Sequence, residues 1–319
     1  MNLTKLLTVA LLFLAISTTS MADNLRVMSF NTMCSFSFCD ETHDHGKFED
    51  RLVSIADTVR RQDPDLVSFQ EFSFARHVNT VSKLLDDQYV PIFGKSFYPT
   101  TDATLFVRKS RFEILETGGA WFGPKAPKFN LGWKWGEPRR LQWARLRDLE
   151  NGGKEFIFVG SHFDNSGANK GPTAKYVQEF FKQQKVPVIF AGDTNIQPSI
   201  YSGNPRKLIE NPDYVALVGQ NMINTFDQST EVKITGDSSN SQTEICHDQK
   251  GSDGWPACRI DHVLISKNSG WKVKSWGEDL TRYFGGNFVS DHRAVIVDLE
   301  DKSASQPPVA PATQVELEH

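Results

Sequence analysis

Val186-Pro187-Val188-Ile189-Phe190-Ala191-Gly192-Asp193-Thr194-Asn195 is the stretch on which the reading of this chain turns. The apolar, β-branched run before Gly192 predicts a buried strand. Gly192 predicts a turn, and in an extended segment side chains two positions apart point the same way. Asp193 and Asn195 would then face one site, the first able to take a proton and the second able to donate hydrogen bonds. Gly-Asp-x-Asn also describes an ordinary turn. The weight therefore falls on what the rest of the chain sets beside it.

Working outward, a strand over 156–160 delivers Ser161-His162-Phe163-Asp164-Asn165, and a helix over about 173–184 leads into the Val186 run. A long turn-rich region follows. Arg259-Ile260-Asp261-His262 then opens another apolar strand, and Ser290-Asp291-His292-Arg293 precedes a last one over 294–299. Toward the start, a strand over 25–30 ends at Asn31, and Leu52, Ile55, Ala56 and Val59 give a helix over 48–61 that Asp63-Pro64 stops. A strand over 65–69 ends in Gln70-Glu71, and a helix over 75–85 precedes strands over 103–107, 112–115 and 141–149. Asn31, Glu71, His162, Asp193, Asn195, Asp261, Asp291 and His292 all fall at the ends of apolar strands. Strand ends often carry harmless turn residues, but a set confined to hydrolytic residue types points to a site on a packed scaffold.

Glu71 and Asp291 offer hard oxygen ligands suited to Mg²⁺, Mn²⁺ or Ca²⁺. Such a cation would stabilise charge developing on a phosphate. Asp193 is placed to orient or deprotonate water, and His292 to act as acid or base with Asp261 fixing its tautomer. Asn31, Asn195 and His162 would donate to non-bridging oxygens. No Gly-x-Ser-x-Gly, P-loop or His-Glu-x-x-His pattern competes.

In order, Ser29-Phe30-Asn31, Gln70-Glu71, Ser161-His162-Phe163-Asp164, Gly192-Asp193-Thr194-Asn195, Arg259-Ile260-Asp261-His262 and Ser290-Asp291-His292-Arg293-Ala294-Val295 resemble the motifs of the endonuclease/exonuclease/phosphatase superfamily. The resemblance covers essentially 25–299. It implies an α/β fold, a four-layer α-β-β-α sandwich of two mixed sheets face to face. It implies that Glu71 and Asp291 hold a metal with Asn31 nearby, Asp193 activates water, Asn195 and His162 hold the phosphate, and Asp261 orients His292. Asp102 looks like the carboxylate that in deoxyribonucleases pairs with the histidine matching His162. Arg140 is placed similarly to an arginine that approaches substrate phosphate. The chain lacks the Trp-Cys-Asp-Arg of the inositol polyphosphate 5-phosphatases at Asp261. It also lacks the Leu-Gln that follows the histidine of sphingomyelinases, and the helical insert of abasic-site nucleases. A secreted nuclease is therefore the first expectation. A phosphatase or phosphodiesterase acting on lipid head groups, inositol phosphates or small phosphorylated metabolites is the alternative, and a phosphate-binding module without chemistry is the competing class.

Lys5, the apolar run 6–16 and Ser20-Met21-Ala22 read as a signal peptide over 1–22, too short to span a bilayer, so export to the periplasm or medium without a stable membrane anchor is expected. Residues 23–300 suit one domain, expected to be monomeric. The tail over 301–319, with Pro307, Pro308 and Pro311, is read as disordered, and Leu317-Glu318-His319 as appended expression sequence. A formal charge of -4 gives no overall basic field to attract nucleic acid. Four cysteines in an exported chain suggest Cys34–Cys39 and Cys246–Cys258 bridges, with zinc on Cys34, Cys39, His43 and His45 as the rival. Trp133, Lys134, Trp135, Arg139, Arg140, Trp143, Arg145 and Arg147 form a basic aromatic stretch. It reads either as a strand pair with tryptophans inward and arginines solvated, or as a surface for bases and phosphates.

Overall fold

The computed structural model describes residues 24–34, 46–72, 74–94, 102–201, 207–233 and 259–301. Its first strand, β1 (Asn24–Asn31), shows how the layers arise. Strand side chains alternate between faces. Leu25 and Val27 enter one core with Phe158, Ile189, Ala191 and Val263, whereas Met28 and Phe30 enter another with Ile55, Val59 and Val78. A strand apolar on both faces must be covered on both.

The elements that follow are α1 (Phe48–Gln62), β2 (Leu66–Gln70), α2 (Ala75–Leu84), β3 (Tyr89–Ile92), β4 (Thr104–Arg108), β5 (Phe112–Trp121), β6 (Arg140–Asp148), β7 (Lys154–His162) and α3 (Gly167–Lys182). Then come β8 (Val188–Asp193), β9 (Ser199–Tyr201), β10 (Leu208–Glu210), α4 (Pro212–Val218), β11 (Met222–Asn224), α5 (Thr225–Gln228), β12 (Glu231–Lys233), β13 (Asp261–Ser266), β14 (Trp271–Glu278) and β15 (Val295–Asp301).

One mixed sheet runs β12-β14-β15-β1-β2-β4-β3 and the other β11-β13-β8-β7-β6-β5, with β9 and β10 as a separate pair. A core lies between the two sheets, a second between the first sheet and α1 and α2, and a third between the second sheet and α3 and α4. The four-layer α/β sandwich implied by the sequence is the observed fold. Each large apolar side chain sealed in these layers contributes roughly 1.5–3 kcal/mol.

Two local expectations are corrected. Gly192 makes no turn: it lies inside β8, where a Cβ would stand 2.3 Å from the Ser161 carbonyl oxygen, so it is there for a close strand approach. α3 starts at Gly167, six residues before the expected 173, and carries Pro172 within it. β14 is not among the expected strands, although Trp271, Val273 and Ser275 are buried while Lys272 and Lys274 are exposed.

Candidate active site at one end of the sandwich

Strand register assembles the site. Arg140 on β6 stands opposite His162 on β7, His162 opposite Asp193 on β8, and Asp193 opposite Asp261 on β13. Asn31 on β1 is opposite Gln70 on β2 in the facing sheet. By strand parity these positions belong to the inner faces, continuing the rows of Val27, Phe158, Ala191 and Val263. At this end the inter-sheet layer changes from apolar to polar. Asn31, His162, Asp193, Asp261 and His292 are all buried.

Asn31 is the link between the sheets. Its Nδ2 donates to Glu71 Oε1 at 3.0 Å and to Asp193 Oδ2 at 2.9 Å, while its Oδ1 accepts the Met33 N–H at 2.9 Å. The carboxamide thus presents its donors to the carboxylates and its oxygen to the backbone. Ser290 Oγ donates to the Asn31 carbonyl at 2.8 Å and accepts the His292 N–H at 3.1 Å, so the last loop is tied to β1. His292 Nδ1 meets Asp261 Oδ2 at 2.9 Å, and its Nε2 lies 3.8 Å from Asp193 Oδ2. Burial lowers the His292 pKa, but Asp261, Asp291 and Asp193 outweigh it and push it up to about 10. Asp193 shows the reverse balance: burial and the neighbouring Asp261 raise its pKa against the pull of His292 and His162.

The second half of the site is built on Asp102. Its Oδ2 lies 3.0 Å from His162 Nδ1, and its Oδ1 accepts the Glu71 N–H at 2.8 Å. Arg139 Nη1 donates to Asp102 Oδ2 at 2.8 Å and touches His162. Despite burial, His162 and Arg139 hold the Asp102 carboxyl well below the ordinary carboxylate range. Burial and Arg139 lower the His162 pKa, but Asp102 and Asp193 leave it raised. His162 Nε2 faces inward, 3.4 Å from Asp193 Oδ2 and 3.5 Å from Asn195 Nδ2.

Asn195 reaches this place by a route the period-two argument did not foresee. Its φ is +52°, so the segment is not extended beyond Asp193. Instead Asp193 Oδ1 accepts the Asn195 N–H at 2.8 Å, an Asx turn that swings the carboxamide back to the Phe163 carbonyl at 3.1 Å. Glu71 and Ala103, with φ of +61° and +65°, share this end. Backbone held in the left-handed region by non-glycine residues concentrates at functional sites.

The donors here suit a hard divalent cation. Glu71 and Asp291 are half-buried carboxylates, and ligand atoms of Asp193, Asp261 and His292 lie within 4.8 Å of one another. Asp261 Oδ1 is buried with no hydrogen-bond partner among the described residues, the situation of an oxygen open to a cation. Oxygen-rich sets of this kind fit Mg²⁺, Mn²⁺ or Ca²⁺.

Arg140 lies opposite His162 in the register but bonds outside this cluster. It is buried, its Nη2 donates to Gln142 Oε1 at 2.8 Å, and its guanidinium lies 5.1 Å from the Trp121 ring. Arg139, read only as part of a basic stretch, is the arginine that touches His162. Strand parity does not separate them, since it places Arg140 on the inner face opposite His162; Arg139 precedes β6 and reaches His162 from outside the strand. In the same stretch Arg145 and Arg147 pair with Glu155, Arg147 also with Glu113, and Trp143 packs on Phe180. Trp135 is 88% exposed. Among the described residues no cysteine is free. Cys39, His43, His45, Cys246 and Cys258 lie outside them, as do the signal segment 1–22 and nearly all of the tail.

The family model described as Endonuclease/Exonuclease/phosphatase family matches residues 28–292, and the chain belongs to that family. Its members are hydrolases acting on phosphoesters, typically with a metal. Comparison with curated proteins gave no match. A Bacteroides thetaiotaomicron family protein is similar in structure, at TM-score 0.69 and 23% identity over 87% of this chain and 97% of that one. A mannosyl-6-phosphatase from the same organism gives 0.68 and 21% over 86% and 99%. D. rerio TDP2 complexed with single-strand DNA product gives 0.60 and 19% over 87% and 99%.

Proposed function

We propose that the chain is an exported, divalent-metal-dependent phosphoester hydrolase whose substrate is a small phosphorylated molecule. The observation that carries the reaction type is Asp193 set between two histidines, 3.4 Å from His162 Nε2 and 3.8 Å from His292 Nε2, beneath the Asn31 carboxamide. A cation held by Glu71 and Asp291 would supply charge neutralisation to the phosphate. Asp193 orients the attacking water and accepts its proton. Asp261 keeps Nδ1 of His292 engaged, so Nε2 is the atom that exchanges a proton with substrate. Asn195 and His162 offer donors to non-bridging oxygens, and Asp102 with Arg139 holds the His162 ring in place.

The substrate class follows from the charges around the site. Arg145 and Arg147 are neutralised by glutamates and Arg140 is buried on Gln142, so the basic stretch offers no row of free cations to a polyanion. The similarly folded mannosyl-6-phosphatase is a precedent for a small sugar phosphate. A nuclease is the second reading, supported by the Asp102–His162 contact that deoxyribonuclease-like motifs led us to expect.

A side-by-side assay with one metal tests this: 4-nitrophenyl phosphate, hexose phosphates, sphingomyelin, phosphoinositides, plasmid DNA and RNA. We expect small phosphoesters to be hydrolysed and plasmid to survive. Plasmid or RNA degradation that weakens as salt rises, with small esters intact, would install the nuclease reading instead.

A further inference from the structure

Trp135 is 88% exposed, yet the loop that carries it is fixed from several sides. The Lys134 N–H donates to Asn169 Oδ1 at 2.7 Å, and Asn169 Nδ2 returns a bond to the Lys134 carbonyl at 3.2 Å. Asn169 also donates to Asp164 Oδ2 at 2.6 Å, and that oxygen accepts the Glu137 N–H at 3.2 Å. Gly136 N–H closes the loop on the Leu131 carbonyl at 2.7 Å, and Trp133 Nε1 donates to Thr173 Oγ1 at 3.1 Å. Asn169 and Asp164 are buried. A Cβ on Gly136 would lie 2.0 Å from Asp164 Oδ2, so the backbone is drawn tightly onto this clamp. Burying polar groups to hold a loop is costly unless each is satisfied.

The clamp is anchored in the site itself. Asp164 follows Phe163, whose N–H donates to the Asp193 carbonyl at 2.9 Å and whose own carbonyl accepts Asn195 Nδ2. Four residues beyond Trp135, Arg139 lies on Asp102 and His162. Chain length alone keeps the Cα atoms of Trp135 and Arg139 within about 14 Å. The backbone that carries this solvent-facing indole is thus fixed, within about 14 Å, Cα to Cα, of a residue that touches His162.

We propose that Trp135 is a stacking platform for a ring in the part of the substrate that carries the phosphate, either a sugar or a nucleobase. This rests on the phosphoesterase reading and adds the chemistry of the substrate. An aromatic ring on a pre-ordered loop gives contact at reduced entropic cost, because the backbone needs no ordering on binding.

The test compares wild type, Trp135→Ala and Trp135→Phe on a hexose 6-phosphate, a nucleoside 5′-monophosphate and ringless glycerol 3-phosphate. The expected result for Trp135→Ala is a rise in KM of about ten-fold on one ring-bearing compound, against less than about two-fold on glycerol 3-phosphate. Trp135→Phe should recover most of it, and Gly136→Ala, which pushes the loop off Asp164, should show the same selectivity. Which ring-bearing arm responds identifies sugar or base. Binding is read separately as emission quenching, taken as wild type minus Trp135→Ala. Ring-selective quenching without turnover of any compound would keep the platform and sink the phosphoesterase reading. Equal KM changes on all three compounds, or no ring-selective quenching, would overturn the platform.

Discussion

At the end of the sandwich where β1 and β7 begin, Arg111 grips Asp148 through Nε and Nη2 at 3.1 and 2.9 Å and reaches Asp65 through Nη1 at 3.1 Å. Beside it Arg26 holds Asp298 at 2.6 Å, and Lys154 holds Asp301 at 2.6 Å. Every one of these carboxylates has a cationic partner. At the opposite end Glu71, Asp102, Asp193, Asp261 and Asp291 crowd together, and the partners are one arginine, two histidines and the Asn31 carboxamide. The same two sheets therefore carry a neutralised end that holds the fold and an acid-rich end with fewer cations than carboxylates. Charge imbalance in a buried place destabilises the fold, and it persists where chemistry uses it.

The largest expected effect comes from Asp193→Asn. Turnover should fall by about 10²–10⁴-fold. The folded-state pKa of Asp193 is raised, so its ionised form is disfavoured by folding and weakens stability once the pH exceeds its unfolded value. In metal-free buffer at neutral pH the asparagine variant should thus melt no lower than wild type, by calorimetry. A clear loss of Tm would mean that the acid-rich end is structural. Arg111→Ala should do the reverse, costing about 3–5 kcal/mol in denaturant unfolding because Asp148 and Asp65 lose their buried partner. Its kcat per folded molecule should stay within about two-fold of wild type. A kcat that collapses with the fold intact would break the division between the ends.

Much of this division was legible in the sequence. Alternation over 25–30 and the helical spacing of Leu52, Ile55, Ala56 and Val59 predicted a strand and a helix, and the family resemblance implied the layers that cover both faces of β1. The strand-end residues picked out in the sequence lie together because strand ends of like parity converge on one edge. What escaped depended on contacts distant in sequence. Gly192 looked like a turn because the Ser161 carbonyl that crowds it belongs to another strand. Asn195 lies beside Asp193 as expected but through a different geometry, since an Asx turn replaces the extended segment. Arg139 could not be told from Arg140 until the start of β6 was known.

The smallest effect lies in the outer helix layer. His77 is buried on α2 against Phe48, with Glu49 Oε1 3.3 Å from its Nε2. Burial lowers its pKa despite Glu49. A histidine with a depressed folded pKa contributes stability that is present above its unfolded value near 6.5 and is lost as the pH falls through its folded value. Wild type should therefore lose Tm between pH 6.5 and 5 more steeply than His77→Gln. Equal slopes would assign the acid sensitivity to the ends instead.

The measurement that bears most directly on the acid-rich end is hydrolysis of 4-nitrophenyl phosphate and its bis ester before and after exhaustive chelation, followed by return of Mg²⁺ or Mn²⁺. Activity should vanish with the chelator and return with the metal, and Glu71→Gln and Asp291→Asn should each need a higher metal concentration for half-maximal rate. Full activity in the chelated protein would contradict the account, because five carboxylates would then be working without the cation their arrangement calls for.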